Sequence, residues 1–278
     1  MNFTKRLISF ALTATLLVLS FSSCKKEKNA MVDYGNYKSD GEYVLFGHYL
    51  QSVDPDVEDL TQDGDLYRAK NGDLYGRANP KYAEIGGYEW YDGADEDDRL
   101  LTFVGSDELY FKLEPLRWEI IAEEEGRMLL WCEELIDARR FDKSGNALYS
   151  DSEIREWLNG DFLADAFTPA EREVILDTKI AEGESDKVFL LTKEAIEGYG
   201  IERDQKRKSI SSYAYIARSS YQGAAKGGAN WKYKCATAQY WITTEDGKSL
   251  VLYNGDYVEY NNSNENIYVV PAVWISTD

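Results

Sequence analysis

The chain has 278 residues, of which 50 are acidic and 31 are basic, and its formal charge is −19 at pH 7. A negative field of this size repels phosphate backbones and anionic lipid headgroups, so we expect no nucleic-acid partner. His48 is the only histidine, which argues against a zinc site and a histidine-dependent nucleophile. It lies in an apolar stretch, where we expect it to be packed.

The N-terminus carries the pattern of a bacterial lipoprotein signal. Lys5 and Arg6 precede an apolar segment, residues 7–21, which is followed by two serines and Cys24. This segment of about 15 residues is shorter than a transmembrane helix and is typical of a cleaved leader. We predict a signal peptide over residues 1–23 and lipidation (palmitoylation) of Cys24, which would anchor the protein to the cell envelope at the outer membrane. A plain cleaved secretory signal is the alternative.

Two segments are predicted after the leader. Residues 24–41 are polar and have no apolar period, which predicts a lipidated cysteine followed by a flexible tether. Residues 42–278 are predicted to form one domain. The domain contains Cys132 and Cys235 in a compartment that permits disulfides. Their pairing stays open, because a buried free cysteine also behaves as a small hydrophobic residue.

The first half of the predicted domain is rich in strand signals. A β-forming run at residues 43–46 predicts the first strand. Two near copies, residues 65–69 and 73–78, flank Asn71-Gly72, a dipeptide typical of hairpin turns, and predict a two-stranded ribbon. Three further strands are predicted at residues 110–113, 118–122 and 128–131.

Helix-start signals follow in the middle of the chain. Ser150 and Glu153 have the spacing of a capping box, which predicts a short helix that ends near Asn159. Residues 168–171, Thr-Pro-Ala-Glu, repeat the box with proline at the first helical position. Residues 187–197 predict a strand followed by a third short helix.

The C-terminal part combines loops and strands. Residues 198–234 are polar, with Gly and Ser and no sustained period, which predicts long loops of the kind that are usually functional or mobile. The turn pairs Asp246-Gly247 and Asn254-Gly255 predict hairpins. Four strands are predicted here, at residues 240–243, 249–253, 257–260 and 268–275.

Five short motifs together resemble a bacterial family of extracytoplasmic domains of unknown function. The motifs lie at residues 46–51, 110–118, 155–159 (Arg-Glu-Trp-Leu-Asn), 186–191 and 271–275 (Pro-Ala-Val-Trp-Ile). The resemblance covers most of residues 42–278, and that family is remotely similar to the C-type-lectin-like fold of formylglycine-generating enzymes. It implies an α+β domain of the C-type-lectin-like kind, with small antiparallel sheets, two or three short helices and long loops.

Aromatic residues near the C-terminus are the best candidates for ligand binding, because Tyr and Trp combine a flat apolar face with a polar atom. The candidates are Trp231, Tyr233, Tyr240, Trp241, Tyr253, Tyr257 and Tyr260. The alternative is that those on the inner faces of strands belong to the core. Trp118, Trp157 and Trp274 are assigned to the core, and Asn159 to interior hydrogen bonds.

No catalytic residue and no cofactor is predicted. Oxygen-rich runs at residues 54–65 and 254–266 leave calcium as an alternative, although neither has the glycine-centred loop of an EF-hand. We expect a lipid-anchored envelope protein that binds an extracytoplasmic ligand, glycan or protein, through its C-terminal strands and loops. The alternatives are an extracytoplasmic hydrolase acting on envelope carbohydrate and a structural subunit without a small ligand.

Overall fold

The computed structural model of the protein describes residues 30–54, 57–78, 109–145, 147–181, 183–215, 217, 238–259 and 265–278. The predicted signal peptide, Cys24 and Cys235 lie outside these ranges. The strands are β1 Val32–Asp33, β2 Lys38–Ser39, β3 Tyr43–Val53, β4 Thr61–Asp63, β5 Leu66–Arg68, β6 Leu74–Ala78, β7 Leu109–Glu124, β8 Arg127–Cys132, β9 Glu134–Leu135, β10 Asp137–Arg140, β11 Thr178–Ala181, β12 Glu184–Asp186, β13 Val188–Phe189, β14 Ser209–Ile210, β15 Gln239–Thr243, β16 Ser249–Tyr253, β17 Asp256–Val258, β18 Asn266–Val269 and β19 Ala272–Ser276. The helices are α1 Glu153–Trp157, α2 Leu163–Ala166, α3 Pro169–Val174 and α4 Lys193–Gly198; a π-helical segment, Leu158–Phe162, joins α1 to α2, and a 3-10 turn, Tyr149–Asp151, precedes α1.

The larger sheet is organised around β7, which is 16 residues long. It pairs antiparallel with β3 along most of its length, with β6 beside its first part and β8 beside its second part. β5 and β4 continue the sheet beyond β6, and β19 and β13 continue it beyond β8. The two strands predicted at residues 110–113 and 118–122 are therefore one strand, which passes through Pro115.

Pro115 is accommodated because β3 bulges opposite it. The pairing register shifts between Leu45 and His48, and Gly47 has a φ of 70°. A bulge is one of the few places in a sheet that tolerates a residue without an N–H donor. The bulge also breaks the alternation of inward and outward side chains, so His48 is exposed rather than packed as predicted.

A second sheet has the strand order β10-β18-β15-β16-β17. The predicted turn at Asn254-Gly255 joins β16 to β17, with φ values of 53° and 82°, as a tight primed turn requires. The strand predicted at residues 268–275 is instead divided between the sheets, because the chain crosses at Val270-Pro271. β18 belongs to the second sheet and β19 to the first.

The predicted ribbon at residues 65–78 is confirmed, since β5 pairs antiparallel with β6. Its turn is longer than a two-residue turn. The Ala69 N–H donates to the Asp73 carbonyl at 2.9 Å and the Gly72 N–H donates to the Ala69 carbonyl at 2.9 Å. Only Gly72 of the turn has a positive φ, 93°. This is the three-residue hairpin loop in which a type I turn is followed by a left-handed glycine.

The helix predicted to end near Asn159 begins later and continues further. Its N-cap is Ser152, whose hydroxyl accepts from the Arg155 N–H, and the chain stays helical through the π segment to α2. Leu158 and Phe162 of that segment are buried in the core, which compensates for the weak helical propensity of Gly160. The capping box of Thr168 and Glu171 is confirmed.

Two segments predicted to be tether or loop contain strands. β1 and β2 pair with each other, and β2 pairs with β3, so the ordered domain begins before residue 42. Within residues 198–234, β14 pairs parallel with β9. Beside β14, the Lys208 ammonium is buried against the Glu119 carboxylate, with N and O 2.6 Å apart.

One hydrophobic core contains buried side chains from both sheets and from α1, α2 and α4. The architecture is α+β, as expected. Trp118, Trp157 and Trp274 are buried, which confirms their assignment to the core. No helix among the described residues is long and apolar enough to span a membrane.

We predict that Gly47→Ala destabilises the protein more than Gly41→Ala does. Both glycines have positive φ, and forcing a left-handed conformation on alanine costs about 1–2 kcal/mol. A Cβ on Gly47 would also lie 2.6 Å from Phe167 Cε1, whereas a Cβ on Gly41 would have no atom within 4 Å; overpacking adds about 1–3 kcal/mol. Urea unfolding followed by tryptophan fluorescence measures both losses, and equal losses would contradict the close packing at Gly47.

Candidate functional site

The structure describes four of the seven aromatic residues predicted to bind ligand; Trp231, Tyr233 and Tyr260 lie outside the described residues. Tyr240 and Trp241 are 1% and 0% exposed. The Tyr240 hydroxyl donates to the Lys206 carbonyl at 2.7 Å, and the Trp241 Nε1–H donates to the Arg139 carbonyl at 2.8 Å. Neither side chain can present a face to a ligand, which corrects the prediction for this pair.

The burial of this pair follows from the position of β15. This strand lies inside the second sheet, paired with β16 on one side and with β18 on the other. Four of its five residues are buried, so both faces of the strand are covered. The alternation of exposed and buried positions that a half-exposed strand shows is therefore absent.

Tyr253 and Tyr257 remain near the surface. Tyr253 is 38% exposed. Tyr257 is half-buried between Lys193 and Lys206, whose Nζ atoms lie 5.2 and 5.0 Å from the centre of its ring. Burial raises the pKa of Tyr257 to about 12, and nearby carboxylates add to the rise. These two tyrosines do not form a continuous aromatic face with Tyr240 and Trp241.

A cavity of about 640 Å³ lies elsewhere on the domain. We call it the Tyr199 cavity. Its walls are β11, residues 148–150, residues 189–192, α4 with Tyr199, and the turn at residues 243–247. Its volume is within the range of roughly 300–1,000 Å³ that is usual for ligand sites.

The floor of the Tyr199 cavity is apolar and its mouth carries exposed apolar side chains. Leu129, Phe189 and Trp274 line the cavity and are buried. At the mouth, Leu148 is 44% exposed and Tyr199 is 42% exposed. Apolar side chains that are exposed beside an apolar cavity are typical of a binding site.

Two hydroxyl groups add polar character to this lining. The Thr178 Oγ1 atom is buried and makes no hydrogen bond with any described residue. Buried polar atoms without a partner are rare in native proteins, and each calls for an explanation, such as a bound water or ligand. The Tyr149 phenol also lines the cavity; burial, followed by the negative charge of Asp186, holds its pKa well above the usual value.

Hydrogen bonds tie the walls of the Tyr199 cavity together. The Tyr149 N–H donates to the Gly247 carbonyl at 2.7 Å, and the Thr243 N–H donates to the Leu191 carbonyl at 3.1 Å. The Glu245 N–H donates to the Glu194 Oε2 atom at 2.9 Å. The cavity is therefore a preformed feature of the fold.

The motif Arg-Glu-Trp-Leu-Asn has a structural role beside this cavity. The Arg155 guanidinium bonds the buried Asp186 carboxylate through Nε at 2.9 and 3.0 Å. Its Nη1 atom donates to Glu184 at 2.6 Å and to the Ser150 carbonyl at 2.6 Å. Arg155 thus joins α1 to the 3-10 turn, which is part of the cavity wall, and to β12, which pairs with the wall strand β11.

Asn159 extends the same connection. Its Oδ1 atom accepts from the backbone N–H groups of Lys187 and Val188 at 3.0 and 3.1 Å. Its Nδ2 atom donates to the Val188 carbonyl at 2.9 Å. The predicted interior hydrogen-bonding role of Asn159 is confirmed.

A second cavity of about 470 Å³ is lined by Arg139, Arg140, Glu153 and Trp157, among others. The charges of Arg139, Arg140 and Glu153 are already paired within the protein. Arg139 stacks on the Trp157 ring at 4.6 Å and pairs with the buried Asp137 at 3.0 Å. Burial alone would raise the pKa of Glu153, but hydrogen bonds from Arg140 and Lys143 hold it below its usual value.

The described carboxyl groups with a raised pKa lie outside the linings of both cavities. The pKa is raised, chiefly by burial, at Glu134, Asp137 and Asp165, and none of the three lines a cavity. No group of three or more His, Cys, Asp or Glu residues that could hold a metal occurs in the part of the chain that the structure describes. The Cys132 thiol is buried, and burial raises its pKa to about 12.

The sequence analysis did not find Leu148, Thr178 or Tyr199. Tyr199 falls in the segment, residues 198–234, whose loops were expected to be functional, and this was the only signal for it. Leu148 and Thr178 lie in short connections with no motif. These residues lie in one cavity because segments that are distant in the sequence pack together.

The sequence profile of one family, described as a domain of unknown function (DUF6273), matches residues 125–277. The chain belongs to this family. No curated protein and no solved structure matches the chain. The family segment, residues 125–277, contains every residue named above for the Tyr199 cavity, for the second cavity and for the Arg155 contacts. The family segment therefore includes both the candidate site and the ion pair beside it.

We predict that Arg155→Met destabilises the protein by about 3–5 kcal/mol, because it leaves the buried carboxylate of Asp186 without its partner. Arg203→Met is the matched control. Arg203 pairs with Asp256 at 2.8 Å, but both side chains are more than half exposed, so its loss costs at most about 1 kcal/mol. Urea unfolding of both variants is the measurement, and similar losses would show that the Arg155 contacts do not hold the fold.

Proposed function

We propose that the protein is a lipid-anchored component of the cell envelope, at the outer membrane, and that it binds an extracytoplasmic ligand, a glycan or a protein, in the Tyr199 cavity. The observation that carries the proposal is the apolar cavity with Leu148 and Tyr199 exposed at its mouth. The leader pattern that ends at Cys24 supports the anchor and the location.

Binding explains the lining better than packing alone does. A folded chain gains free energy by burying apolar side chains, about 25 cal/mol per Å², yet Leu148 and Tyr199 stay partly in water over an apolar floor. A ligand that covers them would recover this energy. The wall hydrogen bonds keep the cavity open beforehand, so little ordering of the protein would oppose binding.

The C-type-lectin-like arrangement, and with it the remote similarity to formylglycine-generating enzymes, is part of the proposal. Short helices pack against antiparallel sheets, and the candidate site is built from connections next to the C-terminal strands. These features support that arrangement. The sequence predicted a site on the faces of the C-terminal strands. The proposed site lies instead at the turn at residues 243–247 and the segments opposite it.

The lipid anchor predicts the behaviour of a Cys24→Ser variant. Cells fed an alkyne-bearing palmitate analogue should incorporate it into the wild-type protein, which should fractionate with the outer membrane. The variant has no thiol at residue 24, so it should incorporate none of the analogue and should leave the membrane fraction. Cys132→Ser, which changes a buried thiol, is the control and should still be labelled. Labelling of the Cys24→Ser variant would contradict the anchor.

Ligand binding in the cavity predicts a difference between two tyrosines of similar exposure. The full-length protein in lipid nanodiscs is screened against an array of peptidoglycan fragments and envelope-type glycans and against a random heptapeptide library. For a probe that binds, Tyr199→Ser should weaken binding by about tenfold or more, the loss of roughly 1.4 kcal/mol of contact energy.

Tyr253→Ser is the matched control, because Tyr253 is 38% exposed but does not line the cavity. It should leave the affinity unchanged. A loss of binding with Tyr253→Ser and not with Tyr199→Ser would place the site on the C-terminal strands and contradict the cavity. Circular dichroism of both variants checks that they are folded.

A further inference from the structure

The edge of strand β11 faces the Tyr199 cavity. Thr178, Lys179 and Ile180 all line the cavity. The pairing register of β11 shifts only after Lys179, so the side chains of Thr178 and Lys179 point to opposite faces of the strand. Both line the same space, which places the edge of the strand toward it. The backbone of β11 is therefore part of the wall.

This edge of β11 has no strand partner among the described residues. β11 pairs with β12 alone, in a two-stranded sheet. In such a ribbon, alternate residues direct their N–H and C=O groups away from the partner strand, and an unpaired row of these groups can pair with another chain. The buried Thr178 hydroxyl, which also has no partner, lies on the same strand.

We propose that the ligand of the Tyr199 cavity is an extended peptide segment that adds to β11 as a third strand; this inference rests on the proposed function. The peptide backbone pairs with the free edge of β11. Its apolar side chains contact Leu148, Tyr199 and the floor at Trp274. Main-chain pairing of this kind supplies affinity, and the pockets for alternate side chains supply specificity.

The chemistry of the lining favours a peptide over a glycan. A sugar ring carries several hydroxyl groups, and each one that is buried without a partner weakens binding. Among the described residues that line the cavity there is no Asn, Gln, Arg or His. Of the hydroxyl groups that line it, those of Thr192 and Thr244 already accept hydrogen bonds from backbone N–H groups of the protein. The outer edge of β11 has no strand partner among the described residues, and an extended peptide has the matching row of backbone groups.

The charges at the rim also indicate the composition of the peptide. Asp246 pairs with Lys248 at 2.6 Å, whereas no described residue forms an ion pair with the Glu245 carboxylate, which is exposed at the rim. The whole chain has a formal charge of −19. Lys179 is also exposed and lines the cavity. A peptide with apolar residues, a basic residue near Glu245 and an acidic residue near Lys179 is complementary to this rim, and a positive net charge on the peptide would be attracted by the overall field.

The test uses peptides selected from the random heptapeptide library on the full-length protein in lipid nanodiscs. The best peptide is then synthesised in two N-methylated forms, each methylated at alternate residues, so that one form blocks the amides on one edge of the peptide and the second form blocks those on the other edge. Strand addition uses one edge only. One form should lose binding by about a hundredfold, equivalent to roughly 2.8 kcal/mol, and the other should bind as before.

Hydrogen exchange supplies a second readout on the protein itself. The bound peptide should slow amide exchange within β11, and Tyr199→Ser should reduce the protection because it weakens binding. The turn at residues 254–255, which does not line the cavity, serves as the internal control and should not change.

Three results would overturn the inference. These are a library from which no peptide is enriched, two methylated forms that bind equally, and a bound peptide that leaves exchange in β11 unchanged. If glycans bind with dependence on Tyr199 and peptides do not bind, the inference fails and the proposed function stands. If neither glycans nor peptides bind with dependence on Tyr199, both fail.

Discussion

Arg155 donates hydrogen bonds to three residues in two parts of the chain, and the candidate site depends on this arrangement. Its guanidinium reaches Asp186 and Glu184 of β12 and the Ser150 carbonyl of the 3-10 turn. β12 supports β11, and the 3-10 turn carries Tyr149, so Arg155 holds the segments on two sides of the Tyr199 cavity. The planar guanidinium is suited to this, because it has five donors in a fixed geometry, whereas a lysine ammonium acts as a single point.

The main sheet supplies the rigid base for these contacts. β19 pairs with β8 on one edge and with β13 on the other, and the isolated pairing of Ile175 with Ile275 places the chain at the same edge just before β11. The β11–β12 ribbon thus protrudes from the edge of a large sheet. Such a ribbon has few partner strands, so Arg155 is needed to hold β12 in place and the outer edge of β11 stays without a strand partner among the described residues.

Several structural features were predictable because they depend on neighbouring residues. The capping box at Thr168 and Glu171, the α4 start at Thr192 and the turn at Asn254-Gly255 all formed as expected. Each involves hydrogen bonds or φ values within a few residues, so local sequence is sufficient. The errors occur where distant residues intervene. The bulge of β3 at Gly47 allows β7 to pass through Pro115, and core contacts of Leu158 and Phe162 extend the helix beyond Gly160.

The sequence by itself determined the leader pattern, the negative charge, the α+β class and the resemblance to a family of domains of unknown function, because composition and local spacing carry that information. Only the tertiary structure decided which aromatic residues are available to a ligand. Tyr240 and Trp241 are covered because β15 has a neighbour on each side and packed layers on both faces, and no property of residues 240–241 alone reveals this. The Tyr199 cavity likewise gathers residues 129 to 274 from separate elements, and proximity of that kind arises from the packing of the whole domain.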